Sequence, residues 1–563
     1  MINTHEVLNQ APPREGLDEY ATNVPLVEAV ARWGRGAGGA GAAGAAASAA
    51  SALPELGALV GSAAFQRDAE AANTHTPVLH AYDRWGNRID EVVYDDAYHR
   101  IIAAAVGAGA HTSAWADPGP GANVDRAAAF FLFAQVEPGH ACPVSMTHAA
   151  VPTLELAASG LRDDWMPRLL SRSYEPSLVP GKRSALVGMA MTEKQGGSDV
   201  RANTTRAEPT GADDGWGREF GLTGHKWFCS APMSDAFLVL AQAPGGLSCF
   251  FVPRVLPDGS RNVFRIQRLK DKLGNRSNAS SEIELDGTSA WLVGEEGRGV
   301  ATIVQMVTNT RLDCVIGTAA GMRQSVAEAA WHVRHRSAFG SLLVDQPAMA
   351  AVIADLALES EAATLTSMRL ARAYDDDATV FDSSGGSERA FRRLATAVSK
   401  YWVCKRGPGH AYEALECLGG NGYTEAFPLA RRYREQPLLA IWEGSGNVIA
   451  LDVLRVLARE PEAFDAFFDE VGAASGEHAG FDLALAEAQS VVHEVSTDAA
   501  GSAGRARELT ERLALVLQAA LLLQHSPGAV ADAFVRTRLE GGGGMLYGAL
   551  PPGADTAAIL ARA

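Results

Sequence analysis

Apolar residues change their spacing twice along the chain, and these changes predict the order of its helices and strands. Up to about residue 180, alanine and large apolar residues recur every three or four positions, as in Tyr98–Val106, Ala127–Val136 and Val151–Leu161. This spacing places the apolar side chains on one face of a helix. The pattern therefore predicts that the first part of the chain is mostly helical.

From Ser184 onward the apolar runs become short, and turn signals such as Pro244–Gly246 and Pro257–Gly259 separate them. The runs are Ser184–Met191, Phe220–Ser230, Ala236–Ala241, Leu247–Pro253, Phe264–Leu269 and Ser281–Leu285. Short apolar or alternating runs bounded by glycine and proline are typical of a compact β domain.

Long amphipathic patterns return at Gly297, and Gln324–His335 and Gln346–Tyr374 are predicted helices. A loop rich in Gly, Ser and Asp, Asp375–Ser387, follows the second helix. Beyond Leu454 the chain is again predicted to be helical, with a loop or hinge at Gly541–Gly544. We therefore predict a helical domain at 1–183, a β domain at 184–296, a helical bundle at 297–455 and an additional helical domain at 456–563.

The run Gly36–Ala52 contains only Gly, Ala and Ser. It is compatible with an alanine-rich helix or with a mobile insertion in the first domain. Its glycines and its lack of large side chains favour the mobile insertion.

Composition narrows the class of protein. With 563 residues, of which 47% are hydrophobic, the chain is neither a disulfide-stapled peptide nor wholly disordered. It lacks an apolar run of about 18 residues, so no membrane span is expected. The opening residues Met1–Glu6 do not resemble a signal peptide. The six cysteines stand far apart without a C-x-x-C pair, which favours a reducing cytoplasm and predicts no metal site.

A first candidate site follows the strand-like run that ends near Met191. Thr192 and Ser198 carry hydroxyl groups, and Gly196–Gly197 allows backbone N–H groups to approach a bulky anion. An ordinary Gly-Ser-Asp turn explains the same residues. Phe228 and Ser230 share one face of another predicted strand, where they suit either a planar cofactor or ordinary packing.

Two further candidates lie in the helical part. Arg336 offers a planar fork to phosphate oxygens, and Gln346 offers an amide, although a solvated arginine at a helix end is an equal alternative. Gly419 and Gly420 form a glycine turn that either lies close to a ligand or caps a helix.

The segment Ile441–Asn447 contains the sharpest candidate, Glu443. An indole precedes this carboxylate and small residues follow it. Partial desolvation would raise its pKa and suit it to proton abstraction. A glutamate in the first turn of the next helix, stabilised by the helix dipole, is the alternative.

Together these segments resemble the acyl-CoA dehydrogenase family, and more closely its AidB branch, the adaptive-response proteins to DNA alkylation. Met191–Val200 with Asn203–Thr205, Lys270–Ser280, and Ile441–Asn447 continuing through Leu451–Arg455 carry the resemblance. Three separate motifs in the family's order make it specific.

The resemblance covers residues 75–455 well and both ends more loosely. It implies a mainly α fold with a central β-barrel domain: an N-terminal helical domain, the barrel, a four-helix bundle and the extra helical domain of AidB-like proteins. It also implies FAD between the barrel and the bundle, and a homotetramer in which flavin contacts cross a subunit interface.

The resemblance assigns cofactor positions residue by residue. Thr192 and Ser198 fall on positions that bind the flavin ring and the pyrophosphate. Phe228 and Ser230 fall on an aromatic–hydroxyl pair against the flavin, where Trp and Thr are common. The remaining cofactor positions are Met191, Gly197, Arg336, Phe339, Gln346, Gly419, Gly420, Ile441, Trp442, Gly444, Ser445 and Asn447.

Three of these, Arg336, Phe339 and Gln346, would reach the adenine diphosphate from a neighbouring subunit. Glu416 stands near the glycine turn where other members often have Gln. Glu443 falls on the position of the catalytic base, with Trp442 and Ser445 in place of the usual Tyr and Thr.

The implied reaction is αβ-dehydrogenation of an acyl thioester, in which Glu443 takes the α-proton and the β-hydride leaves for flavin N5. The resemblance to AidB-type proteins implies weak dehydrogenase activity, so a base at this position does not by itself establish turnover of a CoA ester. It implies an acyl-CoA or an alkylated small molecule as the ligand. We keep three hypotheses: a flavoprotein that protects DNA against alkylation, a metabolic acyl-CoA dehydrogenase resembling isovaleryl-CoA dehydrogenases, and a structural tetramer with a vestigial flavin.

Charge opposes strong binding to double-stranded DNA. The chain carries 49 basic and 66 acidic residues, a formal charge of −17, and residues 456–563 carry seven arginines, no lysine and fifteen acidic residues. Affinity for duplex DNA depends on releasing its counterions, so this segment as a whole cannot supply it. Local basic groups remain candidates for weak, sequence-independent contact: Arg505, Arg507 and Arg512, and Arg431, Arg432 and Arg434.

Overall fold

A seven-stranded sheet lies in the middle of a chain that is otherwise mostly helical. The computed structural model describes residues 4–35, 46–213, 215–375, 386–498 and 501–563. Its strands are β1 (Val78–Tyr82), β2 (Arg88–Val93), β3 (Val187–Ala190), β4 (Arg206–Asp213), β5 (Arg218–Ser230), β6 (Ala236–Ala243), β7 (Gly246–Pro253), β8 (Arg265–Leu269), β9 (Ser280–Val293), β10 (Ser337–Ala338) and β11 (Ser341–Leu342).

The helices before the sheet are α1 (Val24–Trp33), α2 (Ala46–Gly61), α3 (Ala63–Thr74), α4 (Asp96–Gly107), α5 (Ser113–Ala116), α6 (Ala122–Val136), α7 (Ala141–Leu154) and α8 (Ser159–Leu169). Those after it are α9 (Gly299–His335), α10 (Pro347–Arg372), α11 (Gly386–Glu416), α12 (Pro428–Leu439), α13 (Gly446–Arg459), α14 (Pro461–Gly472), α15 (Ala479–Thr497), α16 (Ser502–His525), α17 (Gly528–Phe534) and α18 (Thr556–Leu560).

The chain divides into two compact units. The first, called here the helical unit, comprises Met1–Ala63, Asn123–Val136 and Cys314–Ala563. The second, the sheet unit, comprises Ala64–Ala122 and Glu137–Asp313. The four domain boundaries predicted from the sequence stay a prediction, whereas the predicted fold class, helices around a central β domain, is confirmed.

Five strands of the sheet unit close on themselves. The order is β3-β6-β4-β5-β9-β7, and β6 also pairs with β7, so β4, β5, β9, β7 and β6 form a ring. Such closure leaves the inward residues packed against one another. Phe220 of β5 and Phe250 of β7 are fully buried and meet edge to face, with ring centroids 5.0 Å apart.

The sequence analysis missed two local features of this unit and predicted a third one only in part. Residues 78–93 form the hairpin β1–β2 within the part predicted to be helical, and its turn is closed by Asp83, whose carboxylate accepts hydrogen bonds from the amides of Trp85 and Asn87. Strand β4 was not predicted because most of its side chains are exposed and polar. The predicted helix Val151–Leu161 is interrupted, since α7 ends at Leu154 and α8 begins at Ser159.

In the helical unit, α10 and α11 form the centre. Helix α11 contacts α10, α12, α13, α14 and α16. The C-terminal segment is tied to α10 by ion pairs, in which Arg538 Nη2 lies 2.5 Å from Asp355 Oδ1 and 3.2 Å from Glu359 Oε2. The predicted additional helices therefore pack on the bundle and are not an independent tail.

Two predicted flexible segments lie partly outside the described residues. Of the run at 36–52, residues 36–45 are outside, and the remainder begins helix α2 at Ala46. Of the loop at 375–387, residues 376–385 are outside, and α11 starts at Gly386.

All six cysteines are buried free thiols. Within the described ranges, no helix combines the length and apolar character that crossing a membrane requires.

Candidate functional site

A buried ion pair braces the loop that follows β3. Nζ of Lys226, on β5, lies 2.8 Å from Oε1 of Glu193 in the loop, and it also donates to the carbonyl of Leu240 at 2.8 Å. Burial alone would raise the pKa of Glu193, but the hydrogen bonds from Lys226, Thr204 and Thr205 outweigh it and hold the pKa well below its usual range. Glu193 is therefore a fixed anion that joins the loop to two neighbouring chain segments.

In the same loop, the backbone at Gly197 lies too close to Thr192 for a larger residue. A Cβ added at Gly197 would lie 2.4 Å from Oγ1 of Thr192. The carbonyl of Thr192 accepts a hydrogen bond from the Trp227 amide at 2.8 Å, and the carbonyl of Met191 accepts one from Asn203 Nδ2 at 3.0 Å. Ser198 lies at the end of this loop. Gly197 therefore lets the backbone lie directly against the Thr192 side chain. At Gly196 no heavy atom lies within 4 Å of an added Cβ, so this residue presents bare backbone that suits a bulky anion such as a phosphate.

The end of β5 presents an uncovered aromatic ring. Phe228 is 49% exposed, whereas the intervening Cys229 is fully buried. Oγ of Ser230 lies 3.1 Å from Oγ of Ser280. The ammonium of Lys270 lies 4.7 Å from the Phe228 ring centroid, a contact that sequence reasoning missed. Phe228 and Ser230 are both less buried than Cys229, which agrees with the expectation that they share one face of the strand.

In the helical unit, three predicted residues lie at the hairpin β10–β11. Phe339 and Gly340 both have positive φ, 54° and 87°, as a two-residue hairpin turn requires. The Phe339 side chain is fully exposed at the tip. Gln346 Nε2 donates to the carbonyl of Ala338 at 3.0 Å, and a guanidinium nitrogen of Arg336 donates to the carbonyl of Asn9.

Gly419 and Gly420 open the 3₁₀ turn Gly419–Tyr423 after α11. Gly419 has φ +59°, and no heavy atom lies within 4 Å of a Cβ added at either glycine. The side chain of Tyr423, at the end of the turn, is 86% exposed. The turn thus presents bare backbone and one uncovered aromatic ring.

Glu443 occupies a left-handed turn between α12 and α13. Its φ is 57°, and Gly444 follows with φ 108°. A left-handed conformation costs a non-glycine residue about 1–3 kcal/mol, so the surrounding contacts must impose it. The Glu443 side chain is partly buried. Ile441, two residues earlier, is 63% exposed.

Trp442 is anchored in the core beneath this turn. Its ring packs against the buried side chains of Cys314, Cys404 and Leu439. Its Nε1 is buried without a hydrogen-bond partner in the described chain.

Lys400 on α11 reaches the same turn. Its Nζ donates to the carbonyl of Trp442 at 2.8 Å and to the carbonyl of Gly444 at 2.5 Å, and the residue is 1% exposed. Sequence reasoning missed Lys400 because no local motif marks it.

Beyond the turn, Ser445 is the N-cap residue of α13 and makes no side-chain cap bond. Oδ1 of Asn447 accepts a hydrogen bond from Nε of Arg507 at 2.8 Å. Residues predicted to bind two different ligands are therefore in contact with each other.

The predicted basic groups are largely committed to internal partners. Arg432 is 4% exposed and donates to the carbonyl of Gln135 at 2.5 Å, so its assignment to a DNA-binding surface was wrong. Arg431 donates to the carbonyl of Val136 at 3.2 Å, and Arg434 lies 2.5 Å from a carboxylate oxygen of Glu425.

On α16, two of the three predicted arginines form ion pairs. Arg505 pairs with Glu494 at 2.9 Å and with Glu508 at 3.0 Å. Arg512 pairs with Glu487 at 3.0 Å. These carboxylates offset most of the positive charge that the arginine spacing predicted.

A cleft in the sheet unit carries two arginines that sequence reasoning did not single out. It measures about 560 Å³ and is lined by Arg201, Gln242, Arg298 and Val304 among others. Arginine forks bind phosphate oxygens well.

Comparison with known proteins identifies the family. Residues 9–176 match the family described as adaptive response protein AidB N-terminal domain, residues 188–288 the acyl-CoA dehydrogenase middle domain and residues 297–458 the acyl-CoA dehydrogenase C-terminal domain. The chain is 42% identical to AidB of Escherichia coli (strain K12) over 545 residues, which cover 96% of each chain.

Solved structures of acyl-CoA dehydrogenases have the same fold as this chain. The Caenorhabditis elegans protein ACDH-11, in complex with C11-CoA, is 26% identical with a TM-score of 0.85, over 96% of this chain and 94% of that one. An acyl-CoA dehydrogenase from Bacillus anthracis complexed with FAD, 16% identical with a TM-score of 0.65 over 79% and 81% of the two chains, shares the fold.

The residues present fit FAD. Within the sheet unit, the bare backbone at Gly196 suits a phosphate, and the half-exposed ring of Phe228 is an apolar surface of the kind that a planar ring system covers. The predicted family and cofactor are confirmed. The chain belongs to the AidB branch of the acyl-CoA dehydrogenase family and is an FAD-dependent oxidoreductase of that family.

Proposed function

We propose that this protein dehydrogenates an acyl-CoA thioester between its α and β carbons, with Glu443 as the base that removes the α-proton. The observation that supports this role most is the left-handed turn at Glu443, which two hydrogen bonds from Lys400 hold in place. Backbone held in a disfavoured conformation by its surroundings is concentrated at functional sites. A partly buried carboxylate at such a position accepts a proton without first reorganising.

The cofactor contacts follow from the geometry within each unit. In the sheet unit, the backbone at Gly197 and the hydroxyls of Thr192 and Ser198 would bind phosphate oxygens and the ring edge, with Phe228 against the ring. The helical-unit positions that the family resemblance assigns to the cofactor, in the Glu443 turn and the glycine turn at Gly419, stay a prediction. The flavin supplies the two-electron acceptor of the reaction.

The CoA moiety supplies phosphate groups that this chain can bind. Arg201 and Arg298 in the cleft of the sheet unit are candidates for these phosphates. The relative ACDH-11 was solved with C11-CoA, which favours an acyl-CoA as the ligand class here.

We also propose a homotetramer in the cytoplasm. The position that supports this is Phe339, which is fully exposed at the tip of the β10–β11 hairpin and which the family resemblance assigns to contact with a neighbouring subunit's cofactor. The molar mass measured by light scattering tests this, because Phe339→Asp should reduce the tetramer fraction.

The decisive experiment is anaerobic mixing of the FAD-loaded protein with acyl-CoA esters of increasing chain length and branching. Bleaching of the oxidised flavin band by at least one ester supports the proposed reaction. If no ester bleaches the flavin band, the proposed reaction is wrong and the second function, described below, is favoured.

The second candidate is protection of DNA against alkylation, with at most weak dehydrogenase activity. The match of residues 9–176 to a family named for the adaptive response supports it. Charge limits it to weak binding, because Arg505 and Arg512 form ion pairs and Arg432 is buried. Titration of a labelled duplex at several salt concentrations tests DNA contact, and survival of alkylated cells that lack the protein tests the protective role.

A further inference from the structure

The turn at Glu443 is held by a side chain that lies 43 positions earlier in the chain. Nζ of Lys400 bonds to the carbonyl before Glu443, that of Trp442, and to the carbonyl after it, that of Gly444, at 2.8 and 2.5 Å. Lys400 is 1% exposed, so the ammonium group has exchanged water for these two carbonyls. A buried cation requires such compensation, and here the compensation falls on both sides of one residue.

The same helix anchors the turn a second time. Cys404, one helical turn after Lys400, is fully buried, and Trp442 packs against it. Its thiol donates to the carbonyl of Cys314 at 3.4 Å and accepts a hydrogen bond from Thr318 Oγ1 at 3.2 Å. Helix α11 therefore fixes the ring of Trp442 through packing and its carbonyl through Lys400.

We propose that Lys400 is a positioning residue, which holds the Glu443 carboxylate in the orientation needed for α-proton abstraction. The proposal rests on the proposed dehydrogenase function. Lys400 acts by gathering the carbonyls of Trp442 and Gly444 onto one ammonium group, an arrangement that is compatible with the left-handed φ of 57° at Glu443. Without the ammonium, both carbonyls lose their donor and Glu443 is free to return to negative φ, which moves its Cβ and its carboxylate away.

A positioning role for Lys400 and a purely stabilising role predict different effects on the reaction rate. A lysine that only stabilised the fold would, when replaced, lower the unfolding temperature and leave the rate per folded molecule unchanged. A positioning lysine changes that rate. The rate is compared per bound flavin, because the turn that Lys400 holds also carries positions assigned to the cofactor.

The test compares Lys400→Met with Lys405→Met in FAD-loaded protein. Lys405 lies on the same helix, is exposed, and packs beside Gly446 after the turn. It therefore controls for loss of a lysine that touches the same region but for which the carbonyls of Trp442 and Gly444 are not the partners. For Lys400→Met we expect the rate of flavin bleaching at saturating acyl-CoA to fall about 100-fold, the loss that a misplacement of about 1 Å can produce. The substrate dissociation constant should stay near the parent value, and the FAD content is measured so that the rate is expressed per bound flavin. For Lys405→Met all three quantities should stay at the parent values.

A crystal structure of Lys400→Met gives a readout that does not depend on activity. We expect residue 443 to leave the positive-φ region. If it keeps φ near 57° and the bleaching rate is that of the parent, the proposal is overturned. If none of the acyl-CoA esters bleaches the flavin of the parent protein, the proposed dehydrogenase function is wrong. The φ of residue 443 in the variant then still decides whether Lys400 holds the turn.

Lys400→Gln provides a second variant in case the methionine variant does not fold. Its shorter amide reaches at most one of the two carbonyls. We expect an intermediate rate, between those of the parent and the methionine variant. A parent-like rate in a folded glutamine variant contradicts the proposal.

Discussion

Oε1 of Glu193 lies 2.8 Å from Nζ of Lys226, and neither side chain is exposed to solvent. The pair joins the loop after β3 to strand β5, which carries Phe228. A carboxylate and an ammonium group that are both buried are stable only when their remaining donors and acceptors also form hydrogen bonds. Here Thr204 and Thr205 bond to the carboxylate and the carbonyl of Leu240 accepts from the ammonium.

Removing one charge of this pair should destabilise the protein strongly. Lys226→Met leaves a buried carboxylate without its cation, and we expect the free energy of unfolding to fall by about 3–5 kcal/mol. The double variant Glu193→Gln/Lys226→Met should recover part of that loss, because no uncompensated charge remains. Urea unfolding of the parent, both single variants and the double variant measures this. Additive losses in the double variant would contradict the interpretation.

Alanine at position 197 should weaken FAD binding. The added Cβ would lie 2.4 Å from Thr192 Oγ1, so the loop must move away from Thr192, which carries one of the hydroxyls assigned to the cofactor. We expect the dissociation constant for FAD to rise at least about tenfold, equivalent to about 1.4 kcal/mol. Gly107→Ala is the control, because its Cβ would meet nothing closer than 4.0 Å. Flavin fluorescence during titration of the apoprotein reports both, and equal affinities for the two variants would count against the assigned loop.

Glu443→Gln keeps the size of the side chain and removes the proton acceptor. We expect flavin bleaching by acyl-CoA to slow by about 10²–10⁴-fold, the contribution of a general base. The FAD content should not change. Stopped-flow absorbance measures the rate, with the exposed Glu477→Gln as the control. A parent rate in Glu443→Gln would mean that Glu443 is only a residue of the turn before α13.

Acid should destabilise the sheet unit through Glu137. This fully buried carboxylate accepts hydrogen bonds from Ser277 Oγ at 2.6 Å and from Asn73 Nδ2 at 2.9 Å. Burial alone would raise the pKa of Glu137, but the hydrogen bonds and charge of His140 and the bond from Ser277 outweigh it and lower the pKa to about 2.

The lowered pKa sets the direction of the pH effect. The ionised Glu137 contributes its full stability above the ordinary glutamate value of 4.5, and this contribution is lost as pH falls toward 2. The difference in unfolding free energy between the parent and Glu137→Gln should therefore narrow by up to about 1.4 kcal/mol per pH unit below 4.5. Urea unfolding at pH 6 and pH 3.5 measures it, and a difference that stays constant would contradict the prediction.

Duplex DNA should bind weakly and with a shallow dependence on salt. Each free arginine that meets a phosphate adds about 0.9 to the slope of log K against log salt concentration. Neutralising Arg505, Arg507 and Arg512 together should reduce the affinity. The slope should decrease by less than the value for three phosphate contacts, because Arg505 and Arg512 already pair with glutamates. Fluorescence anisotropy across a salt series measures the slope, with the exposed Arg459→Gln as the control. Tight binding at high salt would show that the electrostatic argument is wrong.

The sequence by itself determined the order of helices, β domain and helices, because helical and strand periodicity are local properties. It also determined the family and FAD, since each of the three motifs that carry the resemblance is a short local stretch of the chain. Periodicity did not reveal strand β4, because most of its side chains are exposed. It did not reveal the hairpin β1–β2 either, because few of its side chains are buried and its sequence lacks a clear apolar alternation.

Only the tertiary structure decided which distant residues share a site. Lys226 meets Glu193 after 33 positions, and Lys400 meets the Glu443 turn after more than 40. Arg432 looked like a surface cation in the sequence and is buried, and Asn447 bonds to Arg507 on another helix. Such pairs arise when packing removes water from two chain segments and each polar group must find a partner. Which segments meet is decided by the packing of the whole fold, and no local pattern of residues encodes it.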